Sequence, residues 1–174
     1  MEKNLTLTGM MGVGKTTIGK RLAKKLKYNF IDIDSVIEKK EGQSINSIFK
    51  NKGEIYFRKM EREITLSELK KNSSVISLGG GAFLNKSIRR NSKKYSISFW
   101  LDVPIEKLIK RLKKSKKSKK RPLLIKENID ESIKKIYFAR KKFYNQADYK
   151  IKCKSLTLKK ILEEILKLYE ISRN

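Results

Sequence analysis

Gly9-Met10-Met11-Gly12-Val13-Gly14-Lys15-Thr16 is the stretch of this 174-residue chain that decides its fold, because it fits the pattern G-x-x-x-x-G-K-[ST]. The apolar run Leu5–Thr8 comes directly before it and reads as a short buried strand. The pattern over Lys15–Leu26 predicts a helix after it, with apolar residues every four positions on one face. Strand, glycine loop and helix in this order are typical of a loop that binds nucleotide phosphates. The alternative is a tight strand–helix turn that binds nothing.

The chemistry of the loop follows from its residue types. Glycines let backbone N–H groups approach phosphate oxygens closely, and the positive end of the following helix attracts an anion. We expect Lys15 to reach the β- and γ-phosphates of a nucleotide and the Thr16 hydroxyl to bind Mg²⁺. The residues predicted to contact ATP in this loop are Gly12, Val13, Gly14, Lys15, Thr16 and Thr17.

Several classes of protein use such a loop, so the loop alone does not name a reaction. GTPases, ATPase motors and small-molecule kinases are the main alternatives. A chain of 174 residues lacks the room for a motor. The guanine-specific pattern N-K-x-D has only a weak echo in Asn51-Lys52-Gly53-Glu54, which falls where a helix is expected. An ATP-dependent small-molecule kinase is therefore the leading hypothesis.

Strand-like runs alternate with helical patterns along the rest of the chain. The predicted strands are Leu5–Thr8, Phe30–Ile33, Ser74–Leu78, Ser98–Val103 and Tyr149–Cys153. The predicted helices are Lys15–Leu26, Ser35–Glu41, Ser44–Asn51, Glu54–Lys71, Ile105–Leu112, Asp130–Tyr144 and Leu158–Tyr169, with a helical turn at Ile88–Ser92. This alternation predicts a three-layer α/β sandwich with a five-stranded parallel sheet, in a single domain over residues 1–174. Residues 113–124 have no such pattern, and a mobile lid is predicted at about 112–125.

Composition excludes several kinds of chemistry. The chain has no histidine, which excludes a Ser-His-Asp mechanism, and one cysteine, Cys153, which excludes an intramolecular disulfide and a cysteine-built metal site. We expect Cys153 and the single tryptophan, Trp100, to be core residues.

No apolar run is long enough to span a membrane, and the N-terminus does not resemble a secretory signal, so a cytoplasmic protein is predicted.

The net charge of +26 raises the question of nucleic-acid binding. The excess comes from 35 lysines against 9 arginines, and it is spread along the whole chain rather than gathered in one stripe. We therefore expect no nucleic acid as the main ligand. A basic nucleotide-sensing or RNA-binding module that uses the loop only as a switch is the alternative from another class.

Residues for a phosphate acceptor follow other predicted strands. The second strand is predicted to end in Ile31-Asp32-Ile33-Asp34, so alternation would place Asp32 and Asp34 on the same side, one near the metal and one near the acceptor. A helix-capping role for Asp34 is the alternative. Gly79-Gly80-Gly81 follows the third strand and would offer open backbone to a small ligand. Arg58 and Arg140 are arginines in a lysine-rich chain, which hints at bidentate binding of a carboxylate or phosphate.

Taken together, these segments resemble the shikimate kinase family over nearly the whole chain. The matching segments are the Gly9–Thr17 loop, Asp32-Ile33-Asp34, Phe57-Arg58, Gly79-Gly80-Gly81-Ala82, Arg121-Pro122-Leu123-Leu124, and Arg140 with Tyr144. The resemblance implies a P-loop NTPase fold of the nucleoside-monophosphate-kinase type. Gluconate kinases and nucleoside-monophosphate kinases are the runners-up in the same superfamily. The reaction it implies is transfer of the ATP γ-phosphate to the 3-hydroxyl of shikimate, in chorismate and aromatic amino-acid synthesis.

The resemblance also implies roles for individual residues. Arg58 and Arg140 would bind the shikimate carboxylate. Asp34 would bind the ring hydroxyls, and would either accept the proton of the 3-hydroxyl or orient that hydroxyl. Gly79, Gly80 and Gly81 would line the same pocket. Asp32 would hold Mg²⁺ through water beside Thr16, and Arg121 would act as a lid arginine over the phosphates. Lys15, Asp34 and Arg121 are thus the catalytic candidates, and a monomer is expected. The run Lys113–Lys120 departs from the family pattern, so Arg111 receives no role.

Overall fold

Five parallel strands form the central sheet of the structure, a computed structural model that describes residues 3–114, 128–154 and 156–173. The strands are β1 (Asn4–Thr8), β2 (Asn29–Asp32), β3 (Ser74–Ser77), β4 (Ser96–Asp102) and β5 (Tyr149–Lys152). They lie in the order β2-β3-β1-β4-β5, and each neighbouring pair is parallel. The predicted fold class is confirmed.

Helices cover both faces of the sheet. They are α1 (Lys15–Leu26), α2 (Ile33–Glu41), α3 (Ile45–Leu69), α4 (Lys86–Tyr95), α5 (Ile105–Lys114), α6 (Ile129–Tyr144) and α7 (Leu158–Arg173), with a 3₁₀ turn at Ala82–Leu84. The α1 and α7 helices contact each other and the strands beneath them, while α3 and α4 pack together elsewhere on the sheet. The predicted lid falls largely in residues 115–127, which lie outside the described residues.

The central strands are buried because helices cover the sheet. All five residues of β1 are buried, and so are all four of β3. Trp100, in β4, is a core residue as predicted. Cys153 lies one residue beyond the end of β5 and is also buried, and this burial raises the pKa of its thiol to about 11. Both side chains therefore have the packing roles expected of them.

The segment α3 contains the break that the sequence predicts. Ser44–Asn51 and Glu54–Lys71 were expected as two helices, and Ile45–Leu69 consists of two helical stretches joined across a kink at Gly53. Gly53 has a φ of 80° and a ψ of 168°, which are not helical and which glycine adopts at little steric cost. The predicted division into two helices is therefore confirmed.

The topology places the candidate site. β1 lies at the centre of the sheet, between β3 and β4. The chain passes from β1 to β2 and β3 on one side of it, and then crosses to β4 and β5 on the other side. In open parallel sheets a crevice forms at such a switch point, outside the carboxyl ends of the strands. Among the helices in the described part of the chain, none combines the length and apolar character that crossing a bilayer requires.

Candidate active site

The glycine loop connects β1 to α1 in the way that the sequence predicts. Gly12 and Gly14 have φ values of 80° and 101°, which L side chains rarely adopt. Gly14 is the N-cap of α1 and supplies no side chain to accept a bond from the first N–H groups of the helix. Those N–H groups therefore face the crevice as donors for an anion.

Three side chains of the loop and the first turn of α1 have distinct surroundings. The Lys15 ammonium donates hydrogen bonds to the carbonyl oxygens of Gly9 and Met10, at 2.8 and 3.0 Å, and so lies over the loop. The Thr16 hydroxyl lies 2.7 Å from a carboxylate oxygen of Asp32. Val13 is buried, so only its backbone is available to a ligand.

A cleft of about 260 Å³ opens beside this loop. The residues that line it are Met11, Gly12, Gly14, Lys15, Thr16, Thr17, Asp32, Asp34, Ser77, Leu78 and Gly80. A larger groove of about 590 Å³ runs along the outer edge of β2, but it contains none of the loop glycines and shares only Asp32 with the cleft. Cavity size alone would thus have selected the wrong groove, whereas the phosphate-binding loop selects the cleft.

The positions of Asp32 and Asp34 correct the sequence prediction. β2 ends at Asp32, whose side chain accepts a bond from the Ser35 N–H and so caps α2. Asp34 lies in the first turn of that helix, not on the strand, and the cap is Asp32, not Asp34. Strand alternation was therefore the wrong reason for bringing the two carboxylates together. A strand followed at once by a helix turn still leaves both lining the cleft.

Asp34 is held in an environment that disfavours its charge. Burial is the main cause that raises the pKa of its carboxyl, and the nearby Asp32 carboxylate raises it further. The Lys15 ammonium and the Arg58 guanidinium act in the opposite direction but do not reverse the shift. A carboxyl with a raised pKa in a cleft is a candidate for proton transfer.

Two guanidinium groups meet at consecutive glycines on the far side of the cleft. A Cβ atom built at Gly81 would lie 2.5 Å from the Nη1 atom of Arg58, and one built at Gly80 would lie 3.3 Å from Nη1 of Arg140. Arg58 comes from α3 and the buried Arg140 from α6. A Cβ at Gly79 would lie 2.8 Å from Oδ1 of Asp34. The three glycines therefore bring the predicted acceptor residues together.

Sequence reasoning missed the carboxylates that hold Arg58. Oε2 of Glu61 accepts a 2.7 Å bond from Nη1 of Arg58, and Oε1 of Glu54 accepts bonds of 3.1 Å from Nε and Nη2. The Glu61 side chain is only 3% exposed, and burial raises the pKa of its carboxyl although Arg58 lowers it. Its Oε1 has no hydrogen-bond partner among the described residues. The spacing of Glu61, three residues after Arg58 on a helix, was the signal available.

Two arginines named in the sequence analysis stay unassigned by the structure. Arg111 is exposed on α5, next to Leu112, which packs against the loop at Gly12. Arg121, the predicted lid arginine, lies outside the described residues. Its role stays a prediction.

Comparison with known proteins gives a consistent result for the whole chain. A family model described as "Shikimate kinase" matches residues 11–170. The shikimate kinase of Caldanaerobacter subterraneus subsp. tengcongensis is 38% identical over 167 residues, which cover 96% of each chain. That of Persephonella marina is 41% identical over 164 residues, which cover 94% of this chain and 97% of the relative.

Solved structures agree. A shikimate kinase from Acinetobacter baumannii in complex with shikimate superposes with a TM-score of 0.90 at 32% identity, covering 99% of this chain and 96% of that one. The enzyme from Aquifex aeolicus gives 0.83 at 38% identity, with 96% of each chain covered. A gluconokinase from Sinorhizobium meliloti gives 0.62 at 14% identity, a likeness of fold alone. The chain belongs to the shikimate kinase family.

Proposed function

We propose that this chain transfers the γ-phosphoryl group of ATP to the 3-hydroxyl of shikimate, releasing ADP and shikimate 3-phosphate for chorismate and aromatic amino-acid synthesis. One observation carries the proposal: Arg58 and Arg140 meet at Gly81 and Gly80, and Gly80 also lines the cleft of the phosphate-binding loop. Shikimate has a carboxylate at one end and ring hydroxyls at the other. Two guanidinium groups suit the first, and Asp34 suits the second.

The acceptor carboxylate would bind between the two arginines. A planar guanidinium forms paired, charge-assisted hydrogen bonds to a carboxylate, and the geometry of the fork restricts the ligand to one orientation. Glu61 is buried and holds Nη1 of Arg58, whereas Glu54 is half-exposed at its other edge. We therefore propose that Glu61 positions Arg58. Glu54 binds the other edge of the guanidinium, where a substrate carboxylate can displace it.

The donor phosphates would lie on the loop, beside a pair of residues that fit Mg²⁺. Thr16 and Asp32 place a hydroxyl and a carboxylate oxygen 2.7 Å apart at the start of α1. The described residues hold no cluster of three or more carboxylates or thiols, and Mg²⁺ in kinases uses one or two protein oxygens, phosphates and water. Bound there, Mg²⁺ would neutralise charge on the phosphate oxygens. Lys15, held by the loop carbonyls, would provide a second cation for the same oxygens.

Asp34 would receive the proton of the attacking hydroxyl. It lines the cleft and lies beside Gly79, between the loop that holds the donor and the arginines that hold the acceptor. Its raised pKa makes it a better proton acceptor than an ordinary carboxylate. Asp34 would thus both orient the hydroxyl and accept its proton as the bond to phosphorus forms.

A coupled assay of ADP release tests the proposal. We expect turnover with shikimate and none with gluconate or nucleoside monophosphates. Arg58→Ala and Arg140→Ala should each raise the KM for shikimate far more than the KM for ATP. Arg90→Ala, which removes an exposed arginine of α4, is the matched control and should behave like the wild type. Wild-type kinetics in both site variants would contradict the carboxylate clamp, and RNA binding without acceptor-dependent ADP release would contradict the function.

Three further proposals accompany this function. We propose a monomer, a cytoplasmic location, where ATP and shikimate are both available, and one domain over residues 1–174 with a lid at about 112–125. Sedimentation of the purified chain tests the first, and cell fractionation tests the second. Limited proteolysis with and without both substrates tests the third, since a lid that closes over them should become protected.

A further inference from the structure

Tyr144 is a buried residue whose hydroxyl lies at the junction of three segments of the site. It is the last residue of α6, one helical turn after Arg140, and its side chain is fully buried. The hydroxyl donates a hydrogen bond to the carbonyl oxygen of Gly80 and lies 3.8 Å from the sulfur of Met10, in the phosphate-binding loop. The Arg140 guanidinium is near this hydroxyl and acts to lower its pKa, against the larger effect of burial. Segments far apart in the sequence thus meet at one oxygen atom.

The hydrogen-bonded Gly80 and the neighbouring Arg140 both belong to the acceptor side of the cleft. Gly80 lies between Arg140 and the loop, because a Cβ at Gly80 would be 3.3 Å from Nη1 of Arg140 and 3.4 Å from the backbone nitrogen of Met11. Fixing the Gly80 carbonyl fixes the plane of the peptide group that follows it. The Arg140 guanidinium lies against Gly80 and interacts electrostatically with the same hydroxyl. One hydroxyl therefore influences two groups that would touch the acceptor.

The rest of the Tyr144 side chain has a separate, purely packing role. Its ring lies 6.0 Å from the ring of Trp100, centroid to centroid, at an angle of 35°. Burial raises the pKa of the hydroxyl, so the hydroxyl keeps its proton and stays a hydrogen-bond donor at neutral pH. Because phenylalanine keeps the ring and removes only the oxygen, Tyr144→Phe separates the packing role from the hydrogen bonds.

We propose that Tyr144 is a positioning residue for the acceptor, acting through Arg140 and the Gly80 backbone without touching the substrate itself. This inference rests on the proposed function, since it assumes that Arg140 and Gly80 bind shikimate. Loss of the hydroxyl would leave the Gly80 carbonyl without its buried donor and would remove the polar group beside Arg140. Both groups would then sample orientations that do not bind the carboxylate. The phosphate-binding loop meets the hydroxyl only through a weak sulfur contact, so nucleotide binding should be nearly unaffected.

The test is a comparison of two buried tyrosines. Tyr144→Phe should raise the KM for shikimate and its calorimetric Kd without nucleotide by about tenfold, while the KM for ATP and kcat change by less than about twofold. Tyr169→Phe is the matched control, because Tyr169 is also fully buried and donates to a backbone carbonyl, that of Lys3, at the other end of β1. It should lower the melting temperature and leave both KM values unchanged.

The outcomes separate this inference from the function that it assumes. If the wild type does not phosphorylate shikimate, the proposed function fails. If the wild type does and Tyr144→Phe binds shikimate normally, or loses ATP and shikimate affinity equally, only the positioning role is overturned. A double variant with Arg140→Ala gives a second measurement: the rise in the KM for shikimate caused by Tyr144→Phe should be smaller in that background, because the route through Arg140 is gone and only the route through Gly80 remains. A full, undiminished effect there would contradict action through Arg140.

Discussion

Gly81 is the position where a single methyl group should disturb the acceptor site without disturbing the fold. Its φ of −105° is open to any residue, so alanine adds no backbone strain. The added Cβ would lie 2.5 to 2.7 Å from the guanidinium of Arg58, whereas ordinary contact begins near 3.4 Å. The guanidinium must therefore move by about 0.9 Å, and it can do so because it is the end of a flexible side chain.

The expected result of Gly81→Ala is a selective loss of acceptor binding. A charge-assisted hydrogen bond contributes about 1.5–3 kcal/mol, so a misplaced fork should raise the KM for shikimate about tenfold to a hundredfold. The KM for ATP should stay within about twofold, since Arg58 does not line the cleft of the loop. Steady-state kinetics with each substrate varied in turn measure both quantities, and a thermal melt of the variant checks that the fold is intact.

The reasoning behind this prediction can be refuted in a defined way. Gly81→Ala should have little further effect when Arg58 is already alanine, because the clash that it causes is with the missing guanidinium. If Gly81→Ala costs as much in that background as in the wild type, the methyl group acts by some route other than Arg58. If the single variant binds shikimate like the wild type, Arg58 is not a ligand of the acceptor.

Asp34→Asn should reduce kcat by about 10²–10⁴-fold, because it removes the proton acceptor. The variant should also melt at a higher temperature than the wild type at pH 7. Folding raises the pKa of the Asp34 carboxyl, so ionisation of this group lowers the stability of the wild type as the pH rises. That gain should shrink as the pH falls toward 3.8, the ordinary pKa of an aspartate carboxyl. Thermal melts across pH would contradict the assignment if the gain were flat or reversed. Thr16→Val should raise the Mg²⁺ concentration for half-maximal rate by about tenfold or more, whereas Thr16→Ser should retain the wild-type value; equal curves would remove Thr16 from the metal site. Cys153, with a thiol pKa of about 11, should not react with a disulfide reagent at pH 8 until the chain is unfolded, and then release one thiol per chain.

The sequence predicted the order of elements well, because the signals used were local. The glycine loop with its flanking strand and helix was recognised from spacing alone, and α1 has the predicted bounds of Lys15–Leu26. The break at Gly53 was predictable for the same reason, because this glycine lies between the two helical patterns Ser44–Asn51 and Glu54–Lys71. Its φ of 80° is one that glycine adopts at little steric cost. The apolar residues on either side of the kink, such as Ile48 and Phe57, are buried.

The site was predictable in its residue types and less so in its connections. Arg58 and Arg140 were selected as arginines in a lysine-rich chain, but their meeting at neighbouring glycines needed the sheet and two helices to be in place. Glu61 was missed because one glutamate on a charged helix looks like a surface residue until its burial is known. Asp34 was expected at the site through strand alternation, whereas the turn that Asp32 caps is what brings it there.

Trp100 gives the protein a built-in optical probe. It is the only tryptophan of the chain, and its Cδ1 atom lies 3.4 Å from where a Cβ of Gly9 would be, at the start of the phosphate-binding loop. The Lys150 ammonium lies 4.3 Å from its ring centroid. Indole emission depends on nearby charge and packing, so we expect phosphates bound on the loop to change the intrinsic fluorescence. Donor binding can thus be followed on the unlabelled, natural chain, in real time and apart from catalysis.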